Sequence, residues 1–275
     1  MITLYNDDNL KILREMGKNS VDCIITSPPY DDLRNYENTL QWNFEIFKEL
    51  AEKLYRVLKE GGILVWIVAD STFNGSETGN CFKQALFFKD IGFKIHDTMI
   101  YAKHNPTPNT GAGIRYQQSF EYMFVFSKGK PKTVNLLLEQ RHNETNDKRT
   151  CRTQKKFSRD KDGNFGEERH IMYIKEEVPR RNIWTYKVGL YNTTSDKIAF
   201  EHPAIFPEQL AKDHILSWTN KNDMVLDPFM GSGTVGKMCK LLDRNFIGIE
   251  IVKKYFDIAK ARIENTKIQD ELNLE

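Results

Sequence analysis

The sequence has few cysteines and no long apolar run. Only four of its 275 residues are cysteine, and none of them forms a C-x-x-C pair, so we expect reduced thiols and no zinc site. The longest apolar run, Ile63–Ala69, is too short to span a bilayer. The first residues lack a basic region followed by an apolar one, so we expect no signal peptide, no membrane partner and a cytoplasmic protein.

The charges almost balance, at a formal net charge of +2, but they are unevenly distributed. The segment Lys128–Lys187 holds 16 lysines and arginines against 9 aspartates and glutamates, and the rest of the chain is net acidic. A basic block of this kind indicates a surface that faces a polyanion, although charge alone fits a solvated surface lobe as well. Apolar periodicity is also lost in this region, so we predict a separate basic lobe at residues 131–194.

Outside this lobe the sequence alternates between predicted strands and predicted helices. Short apolar runs bounded by turn-forming residues predict strands at 20–26, 61–69, 96–104 and 120–129, and two strand–turn–helix units are predicted at 223–242 and 245–264. Apolar residues spaced three and four apart predict helices at 41–60, 81–93 and 202–219, the first of them ending at Gly61–Gly62. The alternation predicts an α/β fold with a mostly parallel, doubly wound sheet.

A glycine-rich turn follows the predicted strand that ends at Asp227. Its glycines, Gly231, Gly233 and Gly236, open a helix, a geometry that points backbone N–H groups at a ligand. Three classes of protein use such a turn: dinucleotide-binding dehydrogenases, phosphate-loop nucleotidases and S-adenosylmethionine-binding methyltransferases. The turn alone does not separate them.

Two features count against the first two classes. Met238 stands where a phosphate loop needs serine or threonine to hold magnesium. Only 39 residues follow Gly236, too few for the strands and helices that a dehydrogenase adds after its fingerprint. Strands that precede the turn must therefore complete the sheet, which predicts a circularly permuted order. Glu250 ends the next strand, where a carboxylate accepts hydrogen bonds from ribose hydroxyls; the alternative is a surface glutamate.

The stretch Thr26-Ser27-Pro28-Pro29-Tyr30 ends a predicted strand in a stiff corner. By itself this corner is typical of an extended surface turn. Together with the stretch 227–234, "DPFMGSGT", it resembles the paired catalytic and cofactor motifs of DNA amino-methyltransferases. The catalytic motif comes first, as in the permuted group called the β class. The resemblance covers about residues 1–128 and 200–262.

The resemblance implies a Rossmann-like methyltransferase fold, S-adenosylmethionine as methyl donor and a flipped-out base as acceptor. Residues 1–130 would form the catalytic half, residues 195–275 the cofactor-binding half, and the basic lobe the target-recognition region. The cofactor-binding residues would be Asp8, Thr26, His202, Phe206, Asp227, Phe229, Gly231, Ser232, Gly233, Thr234 and Glu250. For His202 a plain packing role is an equal alternative.

The chemistry explains the residue types of the catalytic corner. An exocyclic amine is a poor nucleophile because its lone pair is delocalised into the ring, so acceptors that hold its N–H groups out of conjugation favour attack. Ser27 Oγ and the Pro28 carbonyl would be those acceptors, and Pro29 would fix the backbone. Tyr30 would supply a face on which the extruded base stacks. A cysteine-nucleophile mechanism is excluded, because no cysteine follows a proline.

Serine in the first catalytic position is typical, within this family, of N4-cytosine enzymes, whereas aspartate or asparagine is typical of N6-adenine enzymes. Ser27 therefore favours cytosine, with adenine as the alternative. The DNA-binding residues would make mainly phosphate contacts, with a few reading guanine edges. We assign to this group Arg34, Arg141, Arg149, Arg152, Lys155, Lys156, Arg180 and Arg181.

The expected partner is double-stranded DNA in a prokaryotic nucleoid. Membership of a restriction-modification system is expected, and a cognate restriction endonuclease and a homodimer are compatible with the sequence. A non-catalytic DNA-binding protein on the same scaffold is a weaker alternative, because both motifs are intact. A methyltransferase of RNA or of small molecules is a further alternative. The basic lobe argues against small molecules, because it suits a polyanion.

Overall fold

The chain forms two compact units. The computed structural model describes residues 1–29, 42–106, 115–140, 151–159, 165–173, 177–189 and 192–267, with the backbone alone described in 151–159 and 165–173. The main unit contains Met1–Asn135 and Asn182–Glu275, and the smaller unit contains Leu136–Arg181.

The main unit alternates strands and helices along most of its length. Its helices are α1 (Asn9–Glu15), α2 (Phe44–Val57), α3 (Asn80–Asp90), α4 (Glu208–Trp218), α5 (Thr234–Leu241) and α6 (Lys253–Asn265), with a 3₁₀ helix at Lys197–Glu201. Its strands are β1 (Ile2–Tyr5), β2 (Val21–Thr26), β3 (Leu58–Val68), the two-residue β4 (Thr72–Phe73) and β5 (Ser76–Glu77), β6 (Lys94–Lys103), β7 (Phe120–Ser127), β12 (Ile183–Tyr186), β13 (Met224–Asp227) and β14 (Asn245–Ile249).

One eight-stranded sheet organises the main unit. Its strand order is β1-β14-β13-β2-β3-β7-β6-β12. Every neighbouring pair is parallel except those of β7, which runs antiparallel to both β3 and β6. The prediction of an α/β fold with a mostly parallel sheet is confirmed. The permuted order is visible too, because the glycine turn follows β13, late in the chain, while β13 lies beside β2.

The core forms because the predicted apolar stripe of α2 packs against β3 and α3. Phe47 of α2 is fully buried, with its ring 5.8 Å from Trp66 and 5.1 Å from Phe88. The predicted stop at Gly61–Gly62 is wrong: α2 ends at Val57, and both glycines lie inside β3. Gly61 has a φ of 78° and approaches the 128–132 backbone too closely for a side chain, so its role is close packing, not helix termination.

The smaller unit is built from short antiparallel strand pairs. Strand β8 (Leu138–Gln140) pairs with β11 (Glu177–Pro179), and β9 (Cys151–Arg159) pairs with β10 (Phe165–Tyr173). The unit is narrower than the lobe predicted at 131–194, because β12 pairs with β6 and so carries the chain from residue 182 onward into the main sheet.

Among the described residues, no helix is both long and apolar enough to cross a membrane, and no cluster of His, Cys, Asp and Glu side chains could hold a metal ion.

Candidate active site

A cavity of about 1290 Å³ lies at the carboxyl edge of the main sheet. The Ser-Pro-Pro corner and the glycine turn both line it: Ser27, Pro28 and Pro29 come from the end of β2, and Gly231 and Ser232 come from the turn after β13. Two stretches that lie about 200 positions apart in the chain therefore share one cavity.

The sheet order explains why the two stretches meet. Strands β13 and β2 are parallel neighbours, with Val225 opposite Cys23 and Leu226 opposite Ile24. From β13 the chain continues through α5 to β14 on one side, and from β2 it continues through α2 to β3 on the other. Right-handed crossovers that leave in opposite directions place their helices on opposite faces, which opens a crevice between the two strands. Ligands of open α/β sheets bind in such a crevice.

A buried hydrogen bond joins the ends of these two strands. Thr26 Oγ1 donates to Asp227 Oδ1 at 2.7 Å, and the backbone N–H of Phe229 donates to the same oxygen at 3.1 Å. Burial raises the pKa of Asp227 to about 7, these hydrogen bonds act in the opposite direction, and the nearby Glu250 adds repulsion. Thr26 and Asp227 lie behind the cavity wall and do not line it. Their geometry is that of residues that position the turn.

Glu250 supports the glycine turn from the next strand. Its Oε2 accepts from the Gly231 backbone N–H and its Oε1 from that of Val252, both at 2.9 Å. The side chain lines the cavity and the residue is only 9% exposed, so the alternative of a surface glutamate is wrong. Burial raises the pKa of Glu250 above its usual value, against the hydrogen bonds from the backbone.

The turn needs glycine at two positions. Gly231 has a φ of 51°, and a Cβ there would lie 3.0 Å from His202 Nε2. Gly233 has a φ of 79°, caps α5, and approaches Ala259 of α6 so closely that a Cβ would lie 2.9 Å from that methyl group. Both conformations are left-handed and strained for residues with a side chain.

His202 packs against the turn at Gly231. Its Nδ1 accepts from the Ala204 backbone N–H at 3.1 Å, and its ring meets Tyr255 edge-on at 4.4 Å between centroids. The residue is therefore held by packing, and it lines the cavity as well. The packing role and the expected cofactor-binding role of His202 are therefore compatible with each other.

The cavity gathers most of the residues that the sequence singled out. It is lined by Asp8, Ser27, Pro28, Pro29, His202, Phe206, Phe229, Gly231, Ser232, Thr234 and Glu250, whereas Thr26, Asp227 and Gly233 lie behind its wall. Tyr30, Arg34, Arg141 and Arg149 lie outside the described residues, and only the backbone is described for Arg152, Lys155 and Lys156. Arg180 and Arg181 follow β11 in the smaller unit.

Sequence reasoning missed an ion pair in the cavity. Lys103 ends β6 and Glu121 lies near the start of β7; their side chains meet at 2.7 Å and are 24% and 10% exposed. Both residues line the cavity, as do Tyr101 and Tyr122. Because β7 is antiparallel, its start lies at the same edge as the end of β6. The pair could have been found only from a prediction that β6 and β7 are antiparallel neighbours, and the sequence alone predicted no strand order.

The described cysteines take no part in the site. Cys23, Cys81 and Cys239 are buried free thiols, and none of them lines the cavity. Burial raises the pKa of all three, that of Cys81 to about 12, so each is held as the unreactive thiol.

The fold and the site define a Rossmann-like methyltransferase: a permuted parallel sheet with a glycine turn and a Ser-Pro-Pro corner facing one cavity. The family model described as DNA methylase matches residues 21–261, so the chain belongs to the DNA methylase family. It is 53% identical over 253 residues to the orphan methyltransferase M.BamHII of Bacillus amyloliquefaciens, covering 91% of each chain. It is 28% identical to the type II methyltransferase M.BglII of Bacillus subtilis, covering 93% of this chain and 67% of that one.

Solved structures agree with this membership. The M1.HpyAVI–SAM complex matches with a TM-score of 0.61 at 28% identity, covering 96% of this chain and all of that one. The structure described as PvuII DNA methyltransferase (cytosine-N4-specific) matches with a TM-score of 0.70, covering all of this chain and 88% of that one. Its identity is 16%, so this second likeness shows the fold alone.

The cavity fits S-adenosylmethionine, the cofactor of the family. The carboxylates of Asp8 and Glu250 on the wall are hydrogen-bond acceptors, which suits a ligand that carries ribose hydroxyls and a positive charge. Asp8 also caps α1 by accepting from the Lys11 backbone N–H at 3.0 Å, so its position is fixed. The chain is an S-adenosylmethionine-dependent DNA methyltransferase.

We expect Asp227→Asn to remove part of the pH dependence of stability. The pKa of Asp227 is raised from 3.8 to about 7 in the folded protein, so its contribution to stability is present at low pH and lost as pH rises through that interval. Relative to the variant, the wild-type free energy of unfolding should fall by about 1.4 kcal/mol per pH unit there. Urea unfolding at several pH values measures this difference.

The asparagine keeps an oxygen to accept from Thr26 and Phe229, so the turn should stay intact. Asp90→Asn, at the exposed end of α3, is the matched control, because it makes the same change at a carboxylate that is not buried. Equal slopes for wild type and Asp227→Asn would contradict the assignment of the raised pKa.

Proposed function

We propose that this chain transfers a methyl group from S-adenosylmethionine to the exocyclic N4 of a flipped-out cytosine in duplex DNA, as a site-specific enzyme of the restriction-modification type. The observation that carries the proposal is that Ser27 and Pro28 line the same cavity as Gly231 and Glu250. Methyl donor and acceptor can therefore be held in one cavity, with the acceptor's amine at the corner.

The corner activates the amine by hydrogen bonding. When bound, the cofactor supplies an electrophilic methyl group on a sulfonium. Ser27 Oγ and the Pro28 carbonyl accept from the two N–H groups of the amine, which favours a pyramidal nitrogen and stabilises the positive charge that develops on it. Pro29 restricts the backbone beside that carbonyl, so its orientation is set before substrate binds.

We use the strand order to propose which ligand takes which end of the cavity. The corner follows β2, in the middle of the sheet. The glycine turn and Glu250 follow β13 and β14 on one side, and the remaining wall comes from β3, β7 and β6 on the other. Because the cofactor takes the glycine side, the target base belongs on the side of β3, β7 and β6.

Among the described residues that line the cavity, Lys103 is the one lysine or arginine, and it pairs with Glu121 on that side. Lys103 Nζ has three donors, and one of them is used by Glu121 at 2.7 Å. The ring edge of cytosine beside N4 presents N3 and O2, both acceptors, which match an ammonium donor. We therefore propose that Lys103, oriented by Glu121, binds the acceptor edge of the flipped base.

The choice of cytosine rests on Ser27, because the likeness to the cytosine-N4-specific PvuII enzyme shows the fold alone. The alternative is methylation of adenine at N6, which uses the same chemistry. Finding it would replace the cytosine proposal. The M.BamHII relative is described as an orphan, so a partner endonuclease is not required by the similarity.

The smaller unit is proposed as the target-recognition region, with the enzyme acting on the nucleoid in the bacterial cytoplasm. Its sequence between residues 136 and 181 is rich in lysine and arginine, which suits phosphate contacts. Arg180 is held by a backbone hydrogen bond from its N–H to Leu137 at 2.8 Å, next to the β8–β11 pair.

The identity of the modified base tests the proposal directly. Duplex DNA incubated with enzyme and S-adenosylmethionine is digested to nucleosides, and N4-methylcytosine is the expected product by mass spectrometry. Ser27→Ala should lower kcat at least about a hundredfold, because one acceptor of the developing charge is lost. The affinity for S-adenosylmethionine should stay nearly unchanged. N6-methyladenine as the product would overturn the cytosine assignment, and weakened cofactor binding by Ser27→Ala would contradict the role of Ser27.

Lys103→Met should impair binding of the target base while leaving the cofactor site intact. We expect kcat/KM for DNA to fall at least about tenfold, the cost of one charge-assisted hydrogen bond, with unchanged affinity for S-adenosylmethionine. Lys59→Met is the matched control, because Lys59 pairs with Asp22 at 2.7 Å between β3 and β2 at the opposite edge of the same sheet. Equal losses in both variants would show that Lys103 serves only stability.

Replacing both Arg180 and Arg181 with alanine should weaken DNA binding and flatten its salt dependence. Each lost phosphate contact removes about one released counterion from the slope of log K against log salt. Lys18→Ala is the control: Lys18 is exposed and precedes β2, at the sheet edge opposite the cavity. Binding titrations at several salt concentrations measure the slope, and an unchanged slope in the double variant would reject phosphate contacts by these residues.

A further inference from the structure

A buried arginine on α6 contacts the glycine turn from behind. Arg262 Nη1 donates to the Ser232 carbonyl at 2.5 Å and approaches the Ser232 hydroxyl at 3.1 Å. Its side chain is 1% exposed and does not line the cavity. Ser232 itself does line the cavity, so Arg262 supports the wall of the site without facing the ligand.

The same guanidinium belongs to a group of four charges, in which Arg262 is buried and the other three side chains are partly buried. Arg262 Nε lies 3.0 Å from Asp196 and its Nη2 lies 2.9 Å from Glu208; Lys237 of α5 reaches the same two carboxylates at 2.8 Å. Two cations and two anions balance, which makes their removal from water tolerable. Burial by itself would raise the pKa of Asp196, but hydrogen bonds from Lys237 and Arg262 lower it below its usual value.

This ion cluster (Asp196, Glu208, Lys237 and Arg262) connects the two walls of the cofactor end. One wall is the glycine turn, reached through Ser232. The other is the segment from residue 193 to residue 206, which lines the cavity with His202 and Phe206 and is anchored to the cluster at Asp196. The two walls also meet where His202 lies against Gly231. A displacement of the cluster would therefore change the distance between them.

Only arginine can make this set of contacts. Its planar guanidinium offers five N–H donors in fixed directions, and three different nitrogens are used here for Asp196, Glu208 and Ser232. A lysine ammonium is a point charge that could satisfy the carboxylates but not the Ser232 carbonyl at the same time.

We propose that Arg262 is a positioning residue for S-adenosylmethionine: it holds the Ser232 carbonyl, and with it the glycine turn, against the 193–206 wall. Its effect is on cofactor affinity. The catalytic corner at Ser27 belongs to another part of the cavity wall and does not contact the cluster, so the methyl-transfer step at saturating cofactor does not depend on Arg262.

Arg262→Lys tests the proposal, because it keeps the charge of the cluster and removes the bond to Ser232. Titration calorimetry without DNA should show S-adenosylmethionine binding weakened about tenfold, the effect of one lost hydrogen bond to a charged group. Activity assays should show a raised KM for the cofactor, with kcat at saturation within about twofold of wild type. Melting temperatures report stability in parallel.

Three further variants separate positioning from plain stability. Arg244→Lys is the matched control: Arg244 is also buried and donates to the Thr219 carbonyl at 2.9 Å, away from the cavity. It should lose stability and keep its cofactor affinity. Arg262→Met with Glu208→Gln restores charge balance without the Ser232 bond, so it should regain stability over Arg262→Met alone while binding the cofactor weakly.

The proposal is overturned if Arg262→Lys binds the cofactor as wild type does, or if affinity recovers together with stability in the double variant. Should Arg262→Met alone not fold, the lysine variant and its Arg244 control still decide the question. The calorimetry and the melting temperatures use no DNA, so an error in the proposed target base would leave their outcome unaffected.

Discussion

The hydrogen bond between Thr26 and Asp227 is the constraint on which the site depends. It joins the carboxyl ends of β2 and β13, strands that lie about 200 positions apart in the chain. Asp227 Oδ1 also accepts from the Phe229 N–H, so one oxygen fixes both the end of β2 and the start of the glycine turn. Because the group is buried, no water competes for these bonds, and the two stretches are held in register on either side of the crevice.

Support for the site is arranged in layers behind the cavity wall. Thr26, Asp227 and Arg262 do not line the cavity. Asp227 holds Phe229 and Arg262 holds Ser232, both of which do, and Thr26 holds Asp227. Glu250 belongs to both layers, because it faces the cavity while its two oxygens accept from the turn and from the start of α6. Buried polar groups of this kind are strongly directional, which is what a cofactor site needs if the methyl group is to lie within reach of the corner.

The sequence was sufficient to predict those residues whose roles depend on a local pattern. Apolar runs and turn residues were enough to predict the main strands, and the Ser-Pro-Pro and glycine stretches marked the cavity. Gly61 was misread because a left-handed glycine stops a helix or permits close packing, and only the 128–132 backbone decides between the two. Lys103, Glu121 and Arg262 could not be found, because their partners are set by strand order and helix packing.

Spatial position, and not chain order, defines this site, and the division of the cavity follows from that. Whichever motif comes first, β2 and β13 must be neighbours for the crevice to exist, and in the proposed arrangement the strands beyond each of them serve separate ligands. On the β13 side the turn, Glu250 and the ion cluster leave little freedom, because a common cofactor must be held in one geometry. On the β3–β7–β6 side the wall carries aromatic rings and one ion pair, contacts that side-chain changes can alter without disturbing the turn. A fold divided in this way can change its target base while the methyl donor stays in place.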